Sequence, residues 1–215
     1  MLKCPRAKRD EKGISMKLRL GFLASHNGSS MQAICRAMQA GQLDAEARVV
    51  ISNNSQSHAL AFARNIAIPA YHLSLKTEHT AEMVDRKLRH TLLAHDVNLV
   101  ILSGYMRKLG SQMLSTYKDR ILNIHPALLP NFGGQGLYGD RIHAAVLAAK
   151  EQETGITIHL VDEYYDHGTI IAQWRLPVFP NDTTESLALR VKAREGSFFV
   201  EVLQQLAETG FPQVS

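Results

Sequence analysis

The chain has 215 residues, 45% of them hydrophobic and 20% charged, a balance that supports a packed globular core and argues against extended disorder. Its net charge is +4, and most of that excess comes from the N-terminal segment, where Lys3, Arg6, Lys8, Arg9 and Lys12 face only Asp10 and Glu11. The remainder is close to neutral, so composition requires no basic surface for nucleic acid, no run is long and apolar enough to span a bilayer, and no apolar stretch follows the basic start as a secretory signal would demand.

Residues 1–15 read as a disordered tail ahead of a single domain over 16–210, with Met16 standing where a natural start would fall. The two cysteines, Cys4 and Cys35, are isolated and form neither a disulfide framework nor a metal pair, which fits a reducing, cytoplasmic setting.

Leu18–Ala24 is a continuous apolar run, as expected of a strand buried on both faces. The polar turn Ser25-His26-Asn27-Gly28-Ser29-Ser30 follows. Met31, Ile34, Cys35 and Met38 then recur at helical spacing until Gly41 stops the helix. The turn suits a phosphate cradle, because glycine allows a tight bend, the first N–H groups of a helix are free, and serine hydroxyls add donors. It is neither G-x-G-x-x-G nor a Walker loop. An ordinary capped turn has the same composition, so this segment alone does not choose.

Residues 48–52 read as a second strand, His58–Asn65 as a helix and residues 70–73 as a short strand. Thr80 caps a helix running to about His95, with Glu82 and Asp85 near its positive end. Leu99–Leu102 is the next strand. After it, Gly104-Tyr105-Met106-Arg107-Lys108-Leu109 combines an aromatic ring, a flexible thioether and two bases. Such a loop packs on a planar ligand or simply leads into the next helix. Residues 121–124 form a strand that ends in Asn123-Ile124-His125-Pro126. Alternation puts Asn123 and His125 on one side, and Pro126 stops the strand. A histidine at a strand end is more often structural than catalytic; the asparagine beside it shifts the balance toward function.

Residues 156–161 and 170–178 read as two strands separated by a short turn-like segment, close enough to pair as a hairpin. Between them lies Val161-Asp162-Glu163-Tyr164-Tyr165-Asp166-His167-Gly168, whose bland reading is a solvated acidic loop. Its carboxylates and histidines lack the paired spacing of metal ligands, so no metal is expected. Asp182 or Thr183 caps a final helix over residues 184–206. The β-α-β-α order implies an α/β protein with a Rossmann-like, mostly parallel sheet, ligands beyond the carboxyl ends of its strands, and an antiparallel C-terminal strand or hairpin.

Together and in this order, these segments resemble the phosphoribosylglycinamide formyltransferases, the folate-dependent enzymes of purine synthesis. The resemblance rests on residues 24–30, 104–107, 123–130, 154–159 and 161–166, and runs from about Met16 nearly to Gly210. It implies a single-domain formyltransferase fold and transfer of the formyl group of 10-formyltetrahydrofolate to the amine of N1-(5-phosphoribosyl)glycinamide. Carried over residue by residue, it implies that Asn123, His125 and Asp166 are catalytic. Gly28, Ser29, Ser30, Met31 and Gln32 would hold the substrate, mainly by its phosphate, and Glu195 would sit near its glycinamide and ribose. Met106, Arg107, Lys108 and Leu109 would line the folate site with Asn123, and Asp162 to Asp166, Glu163 among them, would form the folate-binding loop. The implied partners are small molecules only, with formylfolate as co-substrate and no metal, nucleic acid or membrane; a homodimer is compatible with the reading.

The chemistry suits those residue types. Asn123 donates to the oxyanion formed when the amine attacks, His125 donates to it as an imidazolium favoured by Asp166, and Asp166 relays protons. Ser30 stands where the resembled family usually has asparagine, His26 where it has glycine, and Gly196 where histidine is common. The family's basic residue before the helix at Thr80 has only Lys76 or His79 as a counterpart. Two rivals are weighed: a formyltetrahydrofolate hydrolase or other formylfolate transferase, which is expected to carry a further domain, and a non-catalytic phosphate- or nucleotide-binding module. The module leaves Asn123, His125 and Asp166 at successive strand ends unexplained.

Overall fold

In the computed structural model, which describes residues 17–211, strands and helices alternate as β1 (Leu18–Ala24), α1 (Ser29–Gln39), β2 (Ala45–Ser52), α2 (His58–Asn65), β3 (Ala70–His72), α3 (Leu75–Glu78), α4 (Ala81–Ala94), β4 (Leu99–Leu102), α5 (Ser111–Thr116), β5 (Ile121–His125), α6 (Asp140–Ala148), β6 (Glu153–Leu160), β7 (Ile170–Pro177) and α7 (Thr184–Thr209). The expected tail, residues 1–15, and Met16 lie outside the described residues. The strands form one seven-stranded sheet in the order β3-β2-β1-β4-β5-β6-β7. Its first five strands are parallel, and β6 and β7 add antiparallel at one edge. This is the expected architecture, including the C-terminal hairpin.

Burial on both faces explains the apolar strands. Leu18, Leu20, Phe22 and Ala24 of β1 enter a core shared with α1, α2 and α7. Leu23 faces a second core with Leu88 and Leu92 of α4 and Met113 of α5. Successive side chains point to opposite faces, so a strand between two helical layers needs apolar residues at nearly every position. Where α7 crosses α1 the approach is closer still: a Cβ on Gly196 would lie 2.5 Å from the Cβ of Ala33. The glycine that departs from the resembled pattern is therefore required by packing in this chain.

The element boundaries differ at a few points. β2 begins at Ala45 because it pairs with β1 from Leu18 onward. β5 continues to His125, which is held in the ladder opposite Thr157. α7 extends to Thr209. Two helices escaped sequence analysis. α3 buries nothing and so shows no apolar period; α6 follows a glycine-rich run that reads as a loop.

Asp85 has a role that helix-dipole reasoning alone did not suggest. It is 6% exposed. Its Oδ1 accepts the Gly110 N–H at 3.0 Å and its Oδ2 accepts the Gln112 N–H at 2.9 Å. It therefore caps the neighbouring α5, whose first amides lack intrahelical acceptors. Loss of two charge-assisted bonds to part-buried amides costs about 2–3 kcal/mol, so Asp85→Ala is expected to lower the urea midpoint accordingly, with Asp85→Asn falling in between.

Candidate active site

The strand order reverses between β1 and β4, and an open parallel sheet leaves a crevice at such a point. Ser25, just after β1, binds the surrounding loops together. Its N–H donates to Gly104 O at 3.1 Å, its hydroxyl donates to Asn53 Oδ1 at 2.6 Å, and the Met106 N–H donates to its Oγ at 2.8 Å. Beyond these loops lies a cavity of about 660 Å³. It is lined by His26–Ser30, by Asn123, His125 and Asp166, by residues 134–139, and by Glu195 of α7.

The His26–Ser30 lining is built from the start of α1. Gly28 is the N-cap residue with φ 62 and offers no side-chain cap. Met31 N–H is taken by Ser103 Oγ at 3.0 Å and Gln32 N–H by Gly28 O at 2.9 Å. The N–H groups of Ser29 and Ser30 have no protein acceptor among the described residues, so this helix start presents free donors, as anions require.

At the cluster of Asn123, His125 and Asp166, the antiparallel partner sets the depth of the polar side chains. In register, Asn123 opposes His159 and His125 opposes Thr157. The Thr157 hydroxyl donates to Ala127 O at 2.7 Å and accepts the Leu129 N–H at 3.0 Å, fixing the chain as it leaves His125. His125 donates from Nε2 to Phe132 O at 2.8 Å, and its Nδ1 lies 3.5 Å from Asp166 Oδ2. Asp166 Oδ2 also accepts the Gly134 N–H at 3.0 Å. His159 Nε2 lies 3.5 Å from Asp166 Oδ1 and 3.1 Å from Asn123 Nδ2. Phe132 and Asp166, the two residues that flank the His125 ring, have φ of 56 and 58. That conformation is disfavoured for residues with a Cβ and is held here by the contacts just described.

Residues 18–203 match the formyl transferase family model. The chain belongs to the formyl transferase family. This formyl transferase is 37% identical over 190 residues to the chloroplastic phosphoribosylglycinamide formyltransferase of Vigna unguiculata, covering 88% of the present chain and 61% of that one. It is 33% identical over 188 residues to the phosphoribosylglycinamide formyltransferase of Bacillus subtilis, covering 87% and 94% of the two chains. A solved phosphoribosylglycinamide formyltransferase from Coxiella burnetii superposes with a TM-score of 0.82 at 38% identity, covering 89% of this chain and 88% of that one.

Electrostatics in the formyl transferase site depart from the sequence-based expectation at His125. Burial is the strongest influence on the ring and lowers its pKa below the ordinary 6.5, outweighing the Asp166 carboxylate and the Phe132 carbonyl, which act the other way. The free site therefore favours neutral imidazole rather than imidazolium. With Nε2–H committed to Phe132, Nδ1 is left as the proton acceptor. For Asp166 burial alone would raise the pKa, but its contacts with His159, His125 and the Gly134 N–H outweigh that and hold it below the usual aspartate value. Asp166 is thus ionised at neutral pH. Burial pushes Glu195 upward, against a smaller opposing influence from Lys192. An NMR titration of the ligand-free protein is expected to give a His125 midpoint below 6.5. Asp166→Asn removes the stabilising carboxylate and lowers that midpoint further; a rise would contradict this assignment.

Of the other expected site residues in the formyl transferase, Gly28, Ser29, Ser30, Met106 and Glu195 line the cavity. Met31 is fully buried in the core, and Gln32 turns its side chain back to donate to Asn27 O at 2.9 Å. Leu109 packs into the second core. Arg107, Lys108, Asp162 and Glu163 are exposed outside the cavity wall, as are Lys76 and His79. Among the described residues, no lysine or arginine lines the cavity, and His26 is the basic side chain at the helix start. Sequence reasoning passed over His159 and the loop from Gly133 to Gly139. The loop had a visible signal in its four closely spaced glycines, of which Gly134, Gly136 and Gly139 adopt positive φ. His159 had none, because a histidine inside an apolar strand looks like a filled core position. No cluster of three or more metal-ligating side chains occurs among the described residues, and none of their helices is long and apolar enough to cross a membrane.

Proposed function

We propose that this chain transfers the formyl group of 10-formyltetrahydrofolate to the primary amine of N1-(5-phosphoribosyl)glycinamide, a step of purine synthesis, in the cytoplasm. The observation that carries the proposal is one cavity lined both by the helix start at Gly28–Ser30, whose first N–H groups are free, and by the Asn123–His125–Asp166 cluster. A phosphorylated amine spans the two, and the formylfolate approaches past Met106.

The amine nitrogen attacks the formyl carbon and the carbonyl oxygen becomes an oxyanion, which accepts an N–H of Asn123. The amine's proton passes to Nδ1 of His125, directly or through water. The resulting imidazolium is stabilised by Asp166 3.5 Å away. That proton then goes to the folate nitrogen as its bond to carbon breaks, leaving the formamide product and tetrahydrofolate. His125 thus serves first as base and then as acid, a cycle that imidazole can perform because it has one nitrogen to accept the proton and can give it back.

The test is turnover of 10-formyltetrahydrofolate, followed by absorbance, with and without glycinamide ribonucleotide. Turnover that requires the amine is expected. Turnover with water alone would identify a hydrolase, and binding of phosphate without any turnover would identify a module.

A further inference from the structure

We propose that His26 is a substrate-binding residue: its ring donates an N–H to the phosphate of the acceptor and completes the anion site begun by the free amides of Ser29 and Ser30. The inference rests on the formyl-transfer reading above and assigns a role to a side chain that stands where the family usually has glycine.

A phosphate monoester carries about two negative charges near neutral pH. Against it the start of α1 sets the equivalent of only about half a positive charge, through the helix dipole and the unpaired first-turn amides. Ser30 adds a hydroxyl. It lines the cavity and is 3% exposed, and its side chain makes no hydrogen bond to any described residue. A polar group orphaned at that depth points to a ligand that supplies its partner. The site is thus rich in donors and short of charge. Among the described residues, the basic side chains lining the cavity are His26 and His125. His125 is held by Phe132 O and Asp166, which leaves His26 for the anion.

The backbone on either side of His26 is anchored. Ser25 is tied to Gly104, Asn53 and Met106, the His26 carbonyl accepts the Ala59 N–H at 3.1 Å, and Asn27 O accepts Gln32 Nε2 at 2.9 Å. His26 itself is exposed, and its ring has no protein partner among the described residues. An imidazole keeps at least one N–H to donate and can carry a positive charge. A free ring on a fixed backbone, two residues before the N-cap Gly28, serves a ligand and not the fold.

The test is His26→Ala, assayed for formyl transfer and for binding of inorganic phosphate by calorimetry. Loss of one hydrogen bond to a charged partner is expected to raise KM for glycinamide ribonucleotide by about 10- to 100-fold, and Kd for inorganic phosphate by a similar factor. The values of kcat and of KM for formylfolate are expected to change little, because the ring touches neither the formyl group nor the folate. A merely structural role would move all four quantities. An unchanged KM for the ribonucleotide, or an equal disturbance of the formylfolate KM, would overturn the proposal. If His26→Ala does not fold, His26→Gln is measured in its place. It keeps an N–H donor without the charge, so a smaller rise confined to the ribonucleotide KM and the phosphate Kd is expected, and no rise in either would overturn the proposal. A wild-type protein inactive in formyl transfer would remove the underlying reading, while the phosphate Kd of wild type against variant would still decide this one.

Discussion

His125→Ala is expected to lower kcat for formyl transfer by roughly 10²- to 10⁴-fold, with KM for either substrate nearly unchanged. The ring is 4% exposed and held between Phe132 O and Asp166. Of Asn123, His125 and Asp166, it is the one that takes up and gives back a proton in the proposed mechanism. Asn123 does not titrate, and Asp166 is held ionised by its neighbours. Loss of a group that acts only in the transition state lowers kcat and kcat/KM equally, which steady-state kinetics can check. Truncation also leaves the Phe132 carbonyl and the Asp166 carboxylate without their shared partner, a cost of about 1–3 kcal/mol. Urea denaturation separates this from the chemical effect, because a folded but slow variant is the expected outcome. A folded His125→Ala with wild-type turnover would exclude His125 from proton transfer. The acid limb of kcat/KM should follow the same ring. In the proposed mechanism the base form is the active one, and burial lowers the pKa of the His125 ring in the ligand-free site, so activity is expected to persist below the ordinary imidazole value before it falls.

Gly168→Ala is expected to destabilise the protein by about 3 kcal/mol, at the upper end of ordinary single substitutions, and to reduce kcat in whatever fraction stays folded. A Cβ at this position would lie 1.9 Å from the Leu160 carbonyl oxygen. That contact is backbone and cannot swing aside. The Leu160 N–H is tied to Thr169 O at 2.9 Å, so displacing one strand end moves the other. The same carbonyl oxygen is the acceptor for His159 Nδ1, and the loop that would be pushed carries Asp166. Gly41→Ala is the control. It has positive φ but open space around it, so it costs only about 1–2 kcal/mol for the left-handed backbone and leaves kcat alone. Equal effects of the two substitutions on kcat would show that the hairpin turn does not communicate with the site.

What was legible in the sequence was local. The apolar run of β1, the helical spacing after Gly28, the Thr80 cap and the alternation through Asn123 and His125 are each encoded within a short window. Sterics and hydrogen bonding between near neighbours determine them, and they appear in the structure where expected. Their order was enough for a parallel sheet with a site at its carboxyl edge. The resemblance singled out Asp166 from an acidic loop that composition left undecided. Tertiary structure decided whatever depends on partners far apart in the chain. Asp85 proved to cap a helix 25 residues away, and Gly196 proved to be a packing requirement against Ala33. The charge state of His125 turned on burial, which no window of sequence reports, rather than on the single carboxylate that could be named in advance. His159 is the clearest case. Its place beside Asn123 and Asp166 comes from cross-strand register, which exists only once β5 and β6 have paired.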